Sequence, residues 1–159
     1  MKLHRMAIMT GYMRHGMTVR DFFEEAVRCN VPGLPFVDEQ DRIVGRISLR
    51  EIYKCIAVPD SFLRVADAMG DQTNNLDLPE IKVREAMSTP VDKYVLENIP
   101  SVSPRSSGVK ALSIMELHNT SYIFLIEDGK YEGVVTRMVI AKRMLECFKE
   151  MELNDKVPR

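Results

Sequence analysis

Tryptophan is absent from this sequence, cysteine occurs only three times, and no long apolar run is present. Cys29, Cys55 and Cys147 are an odd number without CxxC spacing, so they indicate buried or idle thiols in a reducing compartment and no disulfide framework. No apolar run reaches the roughly 18 residues that a membrane span needs. The first residues also lack the apolar segment of a secretory signal. The sequence therefore predicts a cytoplasmic protein without a membrane partner.

An excess of charge of one sign is lacking too, and so are catalytic sets of side chains. The 22 basic and 23 acidic residues nearly cancel, and a net charge of −1 gives no reason to expect nucleic acid as a partner. His4, His15 and His118 do not have the spacing of metal ligands, so no metal site is predicted. No Ser/His/Asp or Cys/His arrangement can be argued. The sequence therefore does not predict an enzyme.

The main positive feature is an internal repeat. Gly45 is followed by Ser48, and Gly133 is followed by Thr136, so that the two pairs lie 88 positions apart (133 − 45 and 136 − 48). In both places an apolar, β-branched run reaches the glycine, continues as a strand and meets a hydroxyl residue that can begin a helix. A repeat at constant offset predicts two structurally equivalent units.

Each repeat has the pattern of a helix, two strands and a second helix. Thr18 and Asp21 have the spacing of a capping box, and apolar residues at helical spacing extend the first helix over residues 19–29. Two short apolar runs around a polar turn then predict a hairpin, and the next helix begins at Ser48. Ser107 begins the corresponding first helix of the second repeat. The predicted segments are a first unit at 6–58, a linker with a helix candidate at 59–82, a second unit at 83–148 and a frayed C-terminal tail at 149–159.

Three stretches resemble a known family. Leu34-Pro35-Phe36-Val37-Asp38, then Gly45-Arg46-Ile47-Ser48, and Val83-Arg84-Glu85-Ala86-Met87-Ser88 at the opening of the second repeat are similar to a tandem pair of CBS domains. The resemblance covers about residues 6–148. It implies an α/β (α+β) fold of two βαββα units that pack through their sheets with pseudo-two-fold symmetry. Leu34–Val37 and Ile123–Leu125 are then expected in equivalent buried strands.

The family binds adenosine-containing ligands in clefts between its units and is rarely catalytic by itself. The resemblance therefore implies a stand-alone regulatory (Bateman) module that binds AMP, ADP, ATP or S-adenosylmethionine and changes the behaviour of a partner protein. The rival interpretation is a ligand-free homodimeric protein-interaction module. We expect a homodimer in either case, because the apolar helix faces exceed what small sheets can cover. These faces carry Phe22, Ile52, Leu112 and Ile140.

The family's ribose motif assigns a first ligand cleft to Ser48, Arg50 and Glu51. The motif places a hydroxyl at a helix start and a carboxylate one turn later, which suits a vicinal diol because a carboxylate only accepts hydrogen bonds. Glu51 stands where the family usually has aspartate, and Arg50 adds a cation for phosphate. Ser48 and Glu51 also have the spacing of a capping box, so a helix cap without a ligand is the alternative.

The adenine side of the same ligand is expected to come from the other repeat. The resemblance assigns backbone groups of two segments to the adenine edge, with Val91 and Ile123 packing on the adenine face. Ordinary turn chemistry is the alternative role of Ser88 and Thr89. The assigned residues are Ser88, Thr89, Val91, Thr120, Ser121 and Ile123.

The second cleft lacks the acidic residue of the motif. Thr136 and Val139 occupy the motif positions there, and valine cannot accept a hydrogen bond from ribose. Arg137 is a candidate for a phosphate contact, and a solvent-exposed arginine is the alternative. We therefore expect adenosine binding at the first cleft and weak or no binding at the second.

Overall fold

The computed structural model describes residues 2–58, 60–70 and 80–156. Internal contacts divide the chain into two compact units. The first unit comprises Gly11–Glu97, and the second comprises Met1–Thr10 together with Asn98–Arg159. Residues 59 and 71–79 of the predicted linker lie outside the described residues.

The first unit is organised around an antiparallel hairpin that a helix precedes and another follows. Met13 forms a parallel bridge to Phe36 ahead of the first helix. This isolated bridge stands where the predicted first strand would lie, and the helix, strand, strand, helix order follows as predicted. The elements of this unit are α1 (Val19–Cys29), β1 (Gly33–Val37), β2 (Ile43–Ser48), α2 (Leu49–Ile56), α3 (Asp60–Leu63) and α4 (Glu80–Ser88).

Helix α1 has the boundaries that its sequence predicts. The Asp21 backbone N–H donates to Thr18 Oγ1 at 3.2 Å, and the Thr18 N–H donates to the Asp21 carboxylate at 2.8 Å. This reciprocal capping box satisfies two of the free N–H groups at the helix start. Asn30 ends the helix in the left-handed conformation, with φ at 55°. The helix buries one face, which consists of Val19, Phe22 and Ala26.

The second unit contains a three-stranded sheet. Its short first strand pairs parallel with the middle strand, which pairs antiparallel with the last. The elements are β3 (Ser101–Val102), α5 (Gly108–Leu117), β4 (Tyr122–Glu127), β5 (Lys130–Thr136) and α6 (Arg137–Asp155). One buried core joins both helices to the sheet and consists of Leu3, Val102, Ala111, Met115, Ile123, Leu125, Val135 and Ile140.

The two hairpins are equivalent in detail. The register of the first shifts between Phe36 and Val37, and that of the second shifts between Leu125 and Ile126. The two irregularities are 89 positions apart. Each follows the strand residue that pairs with a repeat glycine, which is Phe36 opposite Gly45 and Leu125 opposite Gly133. Because a bulge changes the twist and direction of a strand, an equivalent bulge indicates equivalent strand geometry. The predicted equivalence of Leu34–Val37 and Ile123–Leu125 is confirmed.

The repeat glycines allow a distant segment of the chain to approach each hairpin closely. A Cβ at Gly45 would lie 2.5 Å from Val95 Cγ1 and 2.9 Å from the Leu96 carbonyl oxygen. Leu96 exchanges two backbone hydrogen bonds of 2.9 Å with Arg46 of β2. Glycine is needed here because no side chain fits between the two backbones.

The second unit repeats this arrangement with residues 7–8. A Cβ at Gly133 would lie 3.0 Å from both Ala7 Cβ and the Ile8 carbonyl oxygen. Ile8 exchanges backbone hydrogen bonds of 2.7 and 3.0 Å with Val134 of β5. Residues 7–8, which lie at the start of the first repeat in sequence, therefore belong to the unit of the second hairpin. Residues 95–96 belong to the unit of the first.

The structure corrects three details of the sequence interpretation. Helix α6 continues to Asp155, where a frayed tail from residue 149 was expected. The helix candidate in the linker is two short pieces, α3 and a 3₁₀ turn at Ala66–Ala68. The apolar residues assigned to a dimer face lie inside the units. Phe22, Ile52 and Ile140 are at most 3% exposed, and Leu112 packs against the core of the second unit.

Candidate functional site

Ser48 is the last residue of β2 and the residue before α2. Its backbone is extended, as a helix N-cap requires, but its side chain makes no capping hydrogen bond. Thr18, Ser107 and Thr136 occupy the same position of other helices, and each accepts from a backbone N–H. The capping-box interpretation of Ser48 and Glu51 is therefore wrong.

The Ser48 hydroxyl is thus available at the surface of the first unit. Ser48 is only 6% exposed as a residue. Among the described residues, no buried polar side-chain atom lacks a hydrogen-bond partner. Within the described residues no side-chain hydrogen bond satisfies the Ser48 Oγ, so this atom keeps some exposure to solvent. A nearly buried hydroxyl that reaches the surface without a protein partner is an arrangement that suits a ligand.

Glu51 lies on the first turn of α2, one turn beyond Ser48, and is half-buried. The Cys55 thiol donates to Glu51 Oε1 at 3.8 Å, a distance too long for a strong hydrogen bond. Burial and the Glu51 carboxylate raise the pKa of Cys55. Arg50 is exposed on the same turn. The Ser48 hydroxyl, the Arg50 guanidinium and the Glu51 carboxylate are therefore all carried by the N-terminal turn of α2.

The α2 segment is held in place by apolar contacts. Ile52 is completely buried, and the Tyr53 ring packs against Phe23 of α1 with centroids 6.0 Å apart. The Leu49 N–H donates to the Pro32 carbonyl at 2.9 Å, which fixes the helix start against the residue before β1. These contacts hold the backbone of Ser48 and Glu51 in a defined position.

The structure places Ser88, Thr89 and Val91 in the first unit, together with Ser48, and not in the second. The hydroxyls of Ser88 and Thr89 donate to carbonyls of the last turn of α4, with Thr89 Oγ1 2.7 Å from the Glu85 oxygen. Val91 is completely buried. These side chains therefore have local structural roles, as the turn-chemistry alternative predicts.

Thr120, Ser121 and Ile123 lie in the second unit, at the start of β4. Thr120 Oγ1 accepts weakly from the Tyr122 N–H, and the Ser121 carbonyl accepts from the Arg137 N–H at 3.0 Å. Ile123 is completely buried in the core. Only Thr120 and Ser121 therefore present accessible groups.

Thr136 and Arg137 have protein partners. Thr136 Oγ1 accepts from the Val139 N–H at 3.1 Å and so caps α6. The Arg137 guanidinium donates to the Thr120 carbonyl at 3.3 Å and to the Glu116 carboxylate at 2.9 Å. It links α6 to the end of α5, an arrangement that neither sequence alternative foresaw.

The second unit also contains a cleft at Val139, a motif position of the second cleft that the sequence predicts. It has a volume of about 610 Å³ and lies between the N-terminal segment and α6. Volumes of 300–1,000 Å³ are usual for small-molecule sites. The sequence shows that the lining residues of α6, from Val139 to Glu146, have helical spacing. It does not show that they lie beside residues 2–8. The lining residues are Lys2, Arg5, Met6, Ala7, Ile8, Val139, Lys142, Arg143 and Glu146.

The residues that the structure describes form neither a metal site nor a membrane-spanning helix. No group of three or more His, Cys, Asp or Glu side chains there has the geometry to hold a metal ion. No helix in the same residues has both the length and the apolarity to cross a membrane. The Cys29 thiol donates to Glu25 at 2.9 Å, and burial, together with this carboxylate, raises the pKa of Cys29 to about 11. Cys29 is therefore protonated at neutral pH.

Comparisons with known proteins agree with this architecture. Residues 83–146 match the family model of the CBS domain. The methylated protein MJ0556 of Methanocaldococcus jannaschii is 28% identical over 136 residues, which are 85% of this chain and 68% of that protein. A CBS domain-containing protein of unknown function from Bacillus anthracis superposes with a TM-score of 0.61 at 22% identity, over 99% of this chain and 95% of that chain.

A ligand-bound structure is also similar. The CBS domain pair of protein MJ0100, in complex with 5′-methylthioadenosine and S-adenosyl-L-methionine, has a TM-score of 0.60 at 14% identity. The match covers 91% of this chain and 95% of that chain. The chain therefore carries a CBS-domain match over residues 83–146 and has the mixed α/β fold of the CBS-domain pairs, in agreement with the resemblance and the fold class predicted from the sequence.

Proposed function

We propose that the protein is a cytoplasmic regulatory module that binds an adenosine-containing nucleotide through Ser48, Arg50 and Glu51. The observation that carries the proposal is the Ser48 hydroxyl, which makes no helix cap although Thr18, Ser107 and Thr136 all do. The Glu51 carboxylate, one turn on, can accept from both hydroxyls of a ribose. AMP, ADP, ATP and S-adenosylmethionine are the ligands to test, and the bound ligands of the MJ0100 pair support this choice.

The regulatory effect would arise by population shift. A ligand changes the behaviour of a protein only by binding one of its conformations more tightly than another. Helix α2 follows directly on β2, so a ligand held at Ser48 and Glu51 would favour conformations in which this helix start is ordered. A partner protein that recognises the favoured conformation would then be regulated by the nucleotide.

Glu51→Ala is expected to weaken nucleotide binding about tenfold or more. Each hydrogen bond to a charged group contributes roughly 1.5–3 kcal/mol, and about 1.4 kcal/mol corresponds to a factor of ten in affinity. Titration calorimetry of the parent and the variant with AMP, ADP, ATP, S-adenosylmethionine and 5′-methylthioadenosine measures this difference.

Asp21→Ala is the matched control. It removes a carboxylate at the same position of the genuine capping box of α1, so it should cost about 1 kcal/mol of stability and leave the affinity unchanged. Equal nucleotide affinities of the parent and Glu51→Ala would refute the role of the carboxylate. If no nucleotide in this set bound the parent, the function would have to lie in protein interaction.

A second candidate function is that of a homodimeric interaction module, and the surface of α6 favours it. Six large apolar side chains on this helix are each more than half exposed, whereas scattered single residues are normal for a monomer. Because the net charge is only −1, there is little electrostatic repulsion between two copies of the chain. The exposed row consists of Met138, Met144, Leu145, Phe148, Met151 and Leu153.

The paired substitution Leu145→Ser and Phe148→Ser is expected to convert a homodimer into a monomer. Both side chains are more than half exposed, so the change removes apolar surface from the α6 row without touching a core. Mass measurement by light scattering at micromolar concentration should give twice 18.2 kDa for the parent and 18.2 kDa for the variant. Val27→Ser with Val109→Ser, which changes apolar residues that are even more exposed and lie on other helices, should leave the dimer intact. A monomeric parent would refute the dimer.

A further inference from the structure

Helix α6 extends well beyond the part that its own unit covers. Of its 19 residues, all of which the structure describes, Ile140 is the one that is buried, and no residue from Ala141 to Asp155 is. The match to the CBS-domain family ends at residue 146, so the last turns of the helix continue past the matched domain. Helices in proteins gain most of their stability by packing one face against another element. Helix α6 therefore has a face that a partner would stabilise.

The exposed residues of α6 follow a heptad pattern. Six positions recur at alternating spacings of four and three residues, and every one of them is exposed. This spacing is that of the seam along which two helices pack in a coiled coil. The four inner positions are apolar, and the two outer positions carry opposite charges. The residues of this α6 seam are Arg137, Ala141, Met144, Phe148, Met151 and Asp155.

The α6 seam is complementary to itself when a second copy runs in the opposite direction. Its six positions are symmetric about residue 146, so each one meets a different seam residue of the partner. Met144 lies opposite the partner's Phe148, and the small Ala141 lies opposite the partner's Met151. Facing positions of unequal size interdigitate and fill the space between two helices. In a parallel pair, each side chain would instead face its own copy.

Charge favours the same direction. In the antiparallel pair, Arg137 meets the partner's Asp155 at both ends of the seam, whereas a parallel pair would bring like charges together. The guanidinium has five N–H donors, so its contacts with Thr120 and Glu116 leave donors for a second carboxylate. Residues 137–146 carry three cations and one acid, and residues 147–155 carry one cation and three acids. The two halves of the helix are therefore electrostatically complementary.

We propose that two copies of this chain pair through their α6 helices, antiparallel and with the two-fold axis at residue 146. The inference rests on the second candidate function, a homodimeric module, and adds to it the direction and the register of the helices. In the described part of the chain, none of the six seam positions lines the cleft beside residues 2–8. The helix can therefore carry the dimer contact and one wall of that cleft on different faces.

Cysteine cross-linking measures the direction of the helices. In the antiparallel pair, Met138 and the partner's Glu152 flank the seam on the same edge, while two copies of either residue lie about 18–24 Å apart along the axis. With the three native cysteines replaced by serine, equilibrated Met138→Cys and Glu152→Cys chains should form a covalent dimer with a bismaleimide that spans about 10 Å. Neither variant alone should do so. Cross-linking of each variant alone would indicate a parallel pair and overturn the proposal, as would a mixture that gives no covalent dimer.

A charge change tests the register. Asp155→Lys should raise the dissociation constant of the dimer about threefold or more, because it places a lysine opposite the partner's Arg137 at both ends. Glu132→Lys, at an exposed position of β5, makes the same change of net charge and should leave this constant unchanged. Sedimentation equilibrium measures both, and circular dichroism confirms that the variants are folded.

The outcomes separate the dimer from its geometry. A monomeric parent would refute the second candidate function and this inference together. A dimer that Asp155→Lys does not weaken, or that both charge variants weaken equally, would overturn the direction and register and leave the homodimeric module standing.

Discussion

Gly133→Ala is expected to lower the free energy of unfolding of the second unit by about 2–4 kcal/mol. Two effects add. The φ angle of Gly133 is +137°, where L side chains are strained, and the new methyl group would lie 3.0 Å from both Ala7 Cβ and the Ile8 carbonyl oxygen. Because Ile8 is hydrogen-bonded to Val134, the neighbouring backbone cannot move away without losing those bonds. Urea unfolding followed by circular dichroism measures the loss.

Gly129→Ala separates strain from crowding. Gly129 has a φ angle of +76°, but a Cβ there would meet nothing within 4 Å. Its replacement should therefore cost only the conformational strain, about 1–2 kcal/mol. Hydrogen exchange gives a second readout, since amides of β5 should exchange faster in Gly133→Ala while those of β2 in the first unit keep their protection. A loss in Gly133→Ala no larger than in Gly129→Ala would contradict the close approach of residues 7–8.

Phe124→Ala should be more damaging, with an expected loss of about 3–5 kcal/mol. Phe124 is completely buried on the middle strand β4. Its ring lies edge-on to Tyr122 and Tyr131, with centroids 5.5 and 6.0 Å apart. Removing it loses apolar burial, leaves a cavity and takes away both aromatic contacts, each of which contributes roughly 0.5–1.5 kcal/mol. The same urea titration measures the effect.

Phe148→Ala is the matched control for this substitution. Phe148 is 57% exposed on α6, so its truncation leaves no buried cavity in the unit. At a protein concentration low enough for the monomer to dominate, Phe148→Ala should change stability by less than about 0.5 kcal/mol. Comparable losses in the two variants would show that the burial of Phe124 does not stabilise the second unit.

Sequence reasoning succeeded where structure follows from neighbouring residues or from the repeat. Helix α1 begins at the Thr18 and Asp21 capping box and ends at Asn30, as the pattern predicts. The constant offset between the glycines predicts two equivalent hairpins, and both bulges conform to it. These features need only local hydrogen bonds and apolar periodicity, so a single sequence contains enough information to predict them.

For the candidate site, sequence reasoning identified the position and left the chemistry open. Ser48 and Glu51 have the same spacing as Thr18 and Asp21, yet only the latter pair forms a capping box. The difference depends on how each helix start is oriented against its neighbours, which the spacing does not encode. Likewise, Ser88 and Thr89 have hydroxyls that could contact a ligand. In the structure they lie in the unit of Ser48, and both hydroxyls donate to backbone carbonyls of α4.

By itself, the sequence determined the repeat, its hairpins, the resemblance to a CBS-domain pair and the absence of a carboxylate at Val139. The tertiary structure alone decided that residues 7–8 pair with β5 and residues 95–96 with β2, because those contacts join segments more than a hundred and about fifty positions apart. It also brought Lys2 and Arg5 opposite Lys142 and Arg143, which no local pattern connects. The physical reason is that local hydrogen bonds and periodicity act between near neighbours, whereas a cleft depends on which distant segments share a core.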